Sequence, residues 1–467
     1  MRRWIPIALL FALTLGLGAA ARLASPAGPA HGGGSAHATR GDVGVELHLD
    51  RSSVLQGGDG LVRAELVLRG RDAQGIAPVR SASDLLVVLD RSGSMQGQPL
   101  ATALGAAREL IAQLADGDRF ALVSYASGAA VEIDFEAASP ASRARWLARL
   151  ERIAASGGTD LASGLDRAHG LLDAARRSGR AARVIVLSDG LANQGDYSLD
   201  GLRRRAGRAV AGEYVLSAVG IGDGFDETVM GALADAGTGN FYYLPDLSRL
   251  AGVFTREFEA ARETVARALH VVLQPSEGVR VVGAGGYPLS HDGGAVSFRP
   301  GDLFAGQERR VWITLHAPTA TAGAIALGAL RVDFATPGGE PGRVSIDALP
   351  ELACVEAADD YYASFDAEAY RRGNLSDSLG QLKQSVSRLV KEGRQSEAVA
   401  EVEAYRAEKS EESIQAFGAA LPEELAELDA LHDTVAAPSA AEPEARNRLG
   451  KKLLESGRDD QRAGAKK

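Results

Sequence analysis

Between residues 84 and 261, short apolar runs alternate with stripes of helical spacing. That alternation restricts the chain to a layered fold in which crossover helices join parallel strands. The run Leu85-Leu86-Val87-Val88-Leu89 reads as a buried strand, and Leu100, Leu104, Ala107 and Ile111 follow at helical spacing. Residues 120–125, 184–187, 214–219 and 241–244 read as further strands, and 161–174, 199–210 and 229–236 as helices. Residues 130–135 follow Ser127-Gly128 closely enough to form a hairpin with the strand before them. Right-handed crossovers bury such strands between two helical layers. The expected fold class is therefore α/β, a doubly wound, mostly parallel sheet.

The flanks have a different character. Val43, Val45, Leu47 and Leu49 alternate with Gly44, Glu46, His48 and Asp50, the period of a half-buried strand. After residue 264, short strand-like segments return, separated by Gly and Pro, and Val311, Ile313 and Leu315 repeat the alternation. We expect segments 41–80 and 264–352 to form one β-sandwich with the α/β unit, 84–261, inserted between them. Residues 356–435 read as helical, with Leu375, Leu379, Leu382, Val386 and Leu389 near one stripe. Residues 22–40 read as a flexible linker rich in Ala, Gly, Pro and Ser, and 436–467 as a loosely ordered tail.

Arg2 and Arg3, an apolar stretch over 5–17 and the small residues Gly18-Ala19-Ala20-Ala21 have the form of an export signal over residues 1–21. The expected location is periplasmic or extracellular; the competing expectation is a membrane anchor over residues 4–21. A net charge of −10 argues against general nucleic-acid binding. The single cysteine, Cys354, excludes an intramolecular disulfide, and its apolar neighbours suggest a buried thiol.

The chemistry gathers where strands end. Asp90, Ser92 and Ser94 follow the strand at 85–89, at the carboxyl edge where open α/β sheets bind ligands. Thr159 lies in the loop Ser156-Gly157-Gly158-Thr159-Asp160, and Asp189 follows the strand at 184–187. Two carboxylates and three hydroxyls are hard oxygen donors suited to Mg²⁺, with Mn²⁺ or Ca²⁺ as alternatives. The plainer reading makes Ser92 and Ser94 helix caps and Asp189 a turn residue. Asp160 and Asp226 read as caps, and Asp223 as a loop residue. His169 and His270 read as structural, Trp146 as helix packing, and Tyr242-Tyr243 as strand and rim. Asn374-Leu375-Ser376 matches a glycosylation acceptor pattern.

With these residues in place, the segment 84–260 resembles the von Willebrand factor type A domain family. Asp90, Ser92 and Ser94 match its Asp-x-Ser-x-Ser motif, and Thr159 and Asp189 its later ligands. The phrases Asp118-Arg119-Phe120-Ala121-Leu122-Val123-Ser124-Tyr125 and Gly220-Ile221-Gly222-Asp223-Gly224-Phe225-Asp226 are also similar to it. The resemblance implies a metal-ion-dependent adhesion site that binds an Asp or Glu of a partner protein, in adhesion or complex assembly. A type A domain between β segments behind an export signal is similar to the inter-alpha-trypsin inhibitor heavy chain-like subgroup and its bacterial relatives. Gly97 and Gln98 stand where paired acidic residues would support a second metal, so none is expected there.

Enzyme signatures are missing from the sequence. It has no Gly-x-Ser-x-Gly elbow, no His-Glu-x-x-His pair and no Gly-x-x-x-x-Gly-Lys-Ser/Thr loop. A non-enzymatic binding protein is expected. The alternative is an assembly subunit that makes its contacts through the sandwich or the helical tail, with metal only stabilising loops.

Overall fold

The computed structural model describes residues 34–71, 82–175, 180–438 and 442–462. A six-stranded sheet runs in the order Thr238–Leu244, Val215–Ile221, Ala181–Ser188, Ser83–Asp90, Arg119–Tyr125, Ala129–Ala137. The first five strands are parallel, and the last returns antiparallel as a hairpin. The two-residue period sorts the central strand between the faces. Leu85, Val87 and Leu89 join one core, under helices Gln98–Gln113, Pro140–Leu150 and Leu250–Arg262. Leu86 and Val88 join the other, under Leu161–Ala175, Leu199–Ala211 and Glu227–Ala236. Helices cover both faces, which is why the strand is apolar throughout.

Strand order reverses beside Ser83–Asp90. The chain moves from it to Arg119–Tyr125 on one side, then crosses back to Ala181–Ser188 on the other. The crevice between these neighbours is the topological switch point, the usual ligand position of an open α/β sheet.

The chain reaches this unit from a sandwich and returns to it. Leu61–Gly70 pairs antiparallel with Glu308–His316, Leu66 opposite Val311, so strands from before and after the α/β unit share a sheet. A second sheet centres on Thr264–Pro275, and residues of both sheets fill one hydrophobic core. Cys354 is a free, buried cysteine in that core. The apolar stretch over 324–332 divides between Gly323–Ile325 and Gly328–Ala335, which belong to different sheets.

Two expected segment boundaries need correcting. The linker over 22–40 ends in a strand, Ser35–Arg40, paired antiparallel with Val43–Leu49, and Ala36 and Ala38 pack on the sandwich core. Its small residues read as linker because an edge strand takes its stability from its neighbour, not from its own composition. The calls on residues 1–33, the export signal or anchor included, lie outside the described residues. The tail over 436–467 contains a helix, Pro443–Gln461, packed along Leu379–Lys391. A Cβ on Gly457 would sit 2.6 Å from the Gly380 carbonyl oxygen, so the glycines permit the close approach. The helix's charges face partners: Lys451 Nζ lies 2.8 Å from Glu227, Arg462 2.6 Å from Asp235, and Asp460 2.7 Å from Lys383.

Asn374, the possible glycosylation acceptor, is buried within a π-helical turn, Asn374–Ser378, and so is not presented to solvent. His169 is buried against the Tyr214 hydroxyl, and burial draws its pKa down to about 4. Tyr242 and Tyr243 are core residues, not rim.

Candidate metal centre

Asp90 closes the central strand and is fully buried. Its Oδ1 accepts the Ser92 amide at 2.8 Å, folding the chain back on itself as it leaves the sheet. Its Oδ2 accepts the Ser188 hydroxyl at 3.1 Å, from the strand across the switch point, and lies 3.2 Å from the Tyr125 hydroxyl on the other neighbour. The carboxylate is thus fixed from three elements.

The two serines do not act as side-chain caps. Ser92 occupies the cap position of the short turn Gly93–Met95 but makes no side-chain capping bond. Its Oγ instead lies 3.0 Å from Ser94 Oγ, and Ser94 donates to Asp189 Oδ1 at 2.7 Å. A continuous chain of oxygens therefore runs from the first loop to the loop after Ala181–Ser188. Ser92 is buried, Asp189 half-buried and Ser94 exposed, so the group opens outward.

Thr159 arrives on a third loop, buried at 4 % exposure. The Gly157 carbonyl accepts the Gly93 amide at 3.0 Å, and Ser156 N donates to the Arg91 carbonyl at 2.8 Å, which seats this loop against the first. Thr159 N donates to Asn193 Oδ1 at 2.9 Å, and its carbonyl accepts the Asn193 amide at 3.0 Å, which ties it to the loop after Asp189. Gly157 has φ +77°, a backbone conformation that favours glycine, and a Cβ on Gly158 would meet the end of the Gln194 side chain at 2.5 Å, which would have to move aside. Among the described residues no hydrogen bond joins the Thr159 side chain directly to the other four. Asp160 accepts the Ser163 amide and caps Leu161–Ala175, and Asp226 caps Glu227–Ala236.

The electrostatics follow from this placement. Burial pushes the Asp90 carboxyl above its ordinary range, against the hydrogen bonds from Ser92, Ser188 and Tyr125. Burial also raises Asp189, and the charge of Asp90 raises it further. Among the described residues no Lys, Arg or His is ion-paired with either carboxylate. Two acids near one another, poorly solvated and without an ion-paired basic partner among the described residues, leave a concentration of uncompensated acidic oxygens at the switch point.

Sequence reasoning missed Tyr125, Ser188 and Asn193 as supports. Tyr125 ends one of the phrases that carry the family resemblance and Ser188 precedes Asp189, but their roles depend on which strands lie side by side. Beside Asp189 opens a cavity of ≈ 650 Å³, lined by Pro99, Ile221, Gly224, Pro245 and Leu247 among others. The helix Pro443–Gln461 braces its far wall: Arg448 Nε lies 2.6 Å from Asp223, and Lys451 Nζ donates to the Phe225 carbonyl at 2.6 Å.

Comparison with known proteins bears on the domain and its fold. The von Willebrand factor type A domain profile matches residues 84–256. An uncharacterized protein of Synechocystis, sll0103, is 26% identical over 298 residues, covering 61% of this chain and 69% of that protein. Inter-alpha-trypsin inhibitor heavy chain H1 of Mesocricetus auratus is 28% identical over 153 residues; the match spans 31% of this chain and only 16% of that protein. The solved structure of a von Willebrand factor type A protein from Catenulispora acidiphila superposes with a TM-score of 0.68 at 16% identity, covering 88% of this chain and 95% of that one, a likeness of fold. Residues 84–256 of this chain are a von Willebrand factor type A domain, built on a doubly wound sheet and set into a β-sandwich that a helical region follows.

Proposed function

We propose that this domain holds one divalent cation with Asp90, Ser92, Ser94, Thr159 and Asp189, and that the cation binds an Asp or Glu carboxylate of a partner protein. The observation that carries the proposal is the oxygen chain Ser92–Ser94–Asp189, built across the switch point beside a buried Asp90 with no basic counter-charge among the described residues. All five donors are hard oxygens, which fits Mg²⁺ best and admits Mn²⁺ or Ca²⁺. When bound, the ion supplies positive charge and a coordination position that a carboxylate can take from water. The chain's own part is to hold the donors still. The Ser92 amide and Ser188 hydroxyl orient Asp90, Asn193 orients Thr159, and the exposed side of Ser94 leaves an approach open.

Type A domains generally act as interaction modules and not as enzymes, and the family match supports adhesion or complex assembly as the role. Among the described residues no helix is long and apolar enough to cross a membrane. The export signal read over residues 1–21 would place the contact outside the cytoplasm. The test is capture on the immobilised full chain from the exported fraction. A partner should be retained in Mg²⁺, released by chelator, and absent when the Asp189→Ala variant replaces the chain. Equal retention in chelator and in Mg²⁺ would remove the cation from the mechanism.

A further inference from the structure

The surface around Asp189 is unusual for its apolar side chains. Large hydrophobic residues exposed among the described residues include Leu191 at 58%, Tyr197 at 61% and Leu199 at 38%, all within ten residues of Asp189. The segment that carries them is pinned in place. The Thr159 carbonyl accepts the amides of Asn193 and Gln194 at 3.0 and 3.3 Å. Asp196 accepts the Ser198 hydroxyl at 2.6 Å and pairs with Arg205 at 2.7 Å, and Ser198 caps the helix Leu199–Ala211. The exposed side chains therefore sit on a fixed ridge. Exposed apolar groups on a fixed segment that leads away from a polar anchor mark a contact area.

Asp189 also lines the cavity. Pro99, Ile221, Pro245 and Leu247 give it a mainly apolar lining, and its size suits one or two side chains. Of the acids near Asp189, Asp223 pairs with Arg448 at the cavity and Asp196 with Arg205 on the ridge, while Asp246 at the cavity accepts the Ser248 amide, and among the described residues no lysine or arginine lines the cavity. Attraction of a carboxylate therefore falls to the ion, and the flanks offer apolar contact.

We propose that the partner segment presents a single carboxylate flanked on both sides by apolar residues, one entering the cavity lined by Ile221 and Leu247 and another lying on the Leu191–Tyr197 ridge. This inference rests on the cation reading above and specifies its partner. Burial of the flanks would exclude water from the ion-bound carboxylate and strengthen its attraction.

The experiment selects a displayed library of random twelve-residue peptides on the full chain in Mg²⁺, with elution by chelator. Mg²⁺ affinity is measured separately by calorimetry. The expected result is enrichment of peptides carrying one Asp or Glu with Leu, Ile, Val, Phe or Met within two positions on each side. In the Leu191→Ser/Tyr197→Ser variant, both side chains being exposed, Mg²⁺ affinity should stay unchanged. Binding of the enriched peptides should fall at least tenfold. Mg²⁺ binding together with acidic peptides of polar or basic flanks, with no chelator-eluted enrichment, or with no loss in the variant, overturns this inference alone. Failure to bind Mg²⁺ at all overturns the cation reading beneath it.

Discussion

The Asp90→Ala chain should fold as the parent does and lose its response to Mg²⁺. The groups around Asp90 are arranged to survive its removal. The Ser188 hydroxyl keeps the Gly190 carbonyl at 3.1 Å, and the Tyr125 hydroxyl keeps the Leu187 carbonyl at 2.7 Å. The Ser92 amide loses its acceptor, a cost of about 1–3 kcal/mol. Against that, a buried carboxylate without a counter-charge disappears, and Asp189 is relieved of a like charge. In chelator the two proteins should therefore unfold at similar temperatures. In Mg²⁺ at 100 times its dissociation constant, the parent should gain about 2.7 kcal/mol and the variant nothing. For a unit of this size that gain is a rise of roughly 5–10 °C in the midpoint. Scanning calorimetry with and without Mg²⁺ reads this directly, and equal shifts in the two proteins would exclude Asp90 as a ligand.

The largest loss of stability should come from a different acid. Asp50 has no exposed side-chain surface, and its Oδ2 lies 3.1 Å from both Arg51 Nη2 and Arg63 Nε. Burial alone would raise its pKa, but the two guanidinium groups more than offset that and hold the carboxyl below its ordinary range. These arginines also join the sandwich to the helical region. Arg63 donates to Ser378, and Arg51 lies 4.0 Å above the Phe365 ring and 3.6 Å from Glu412. Asp50→Ala would leave two nearly buried cations facing each other without their shared anion. Breaking a buried pair in this way costs about 3–5 kcal/mol. Acid should reproduce part of the loss in the parent. A lowered carboxyl pKa contributes stability that is full above the unfolded value near 4 and is lost as pH falls through the folded one. Urea unfolding of both proteins at neutral pH checks the first point. A loss under 1 kcal/mol would show that the cluster carries little of the stability.

The central sheet and the five proposed ligands were legible because each signal is local. A strand buried on both faces must be apolar along its length, as Leu85 to Leu89 are, and the residue that ends it must be one whose chemistry the crevice uses. Asp90, Ser92 and Ser94 lie within five residues of one another, and Thr159 and Asp189 each follow an easily read element. What the sequence concealed depends on partners distant along the chain. Ser35–Arg40 is a strand only because Val43–Leu49 lies beside it. Pro443–Gln461 looks like a solvated tail until Glu227, Asp235 and Asp460's partner Lys383 appear opposite its charges, and until Gly450 and Gly457 are seen to admit the neighbouring helix. Tyr125 supports Asp90 only because the sheet places the two side by side, and no spacing along the chain encodes that.

The cation site itself is tested most directly by a crystal of the full chain grown with excess Mn²⁺ and measured for anomalous scattering. The expected result is one strong peak at the carboxyl end of Ser83–Asp90, with oxygen atoms of Asp90, Ser92, Ser94, Thr159 and Asp189 around it, bound directly or through water. Ordered loops with no peak between Asp90 and Asp189, or a peak held by other residues, would contradict the account.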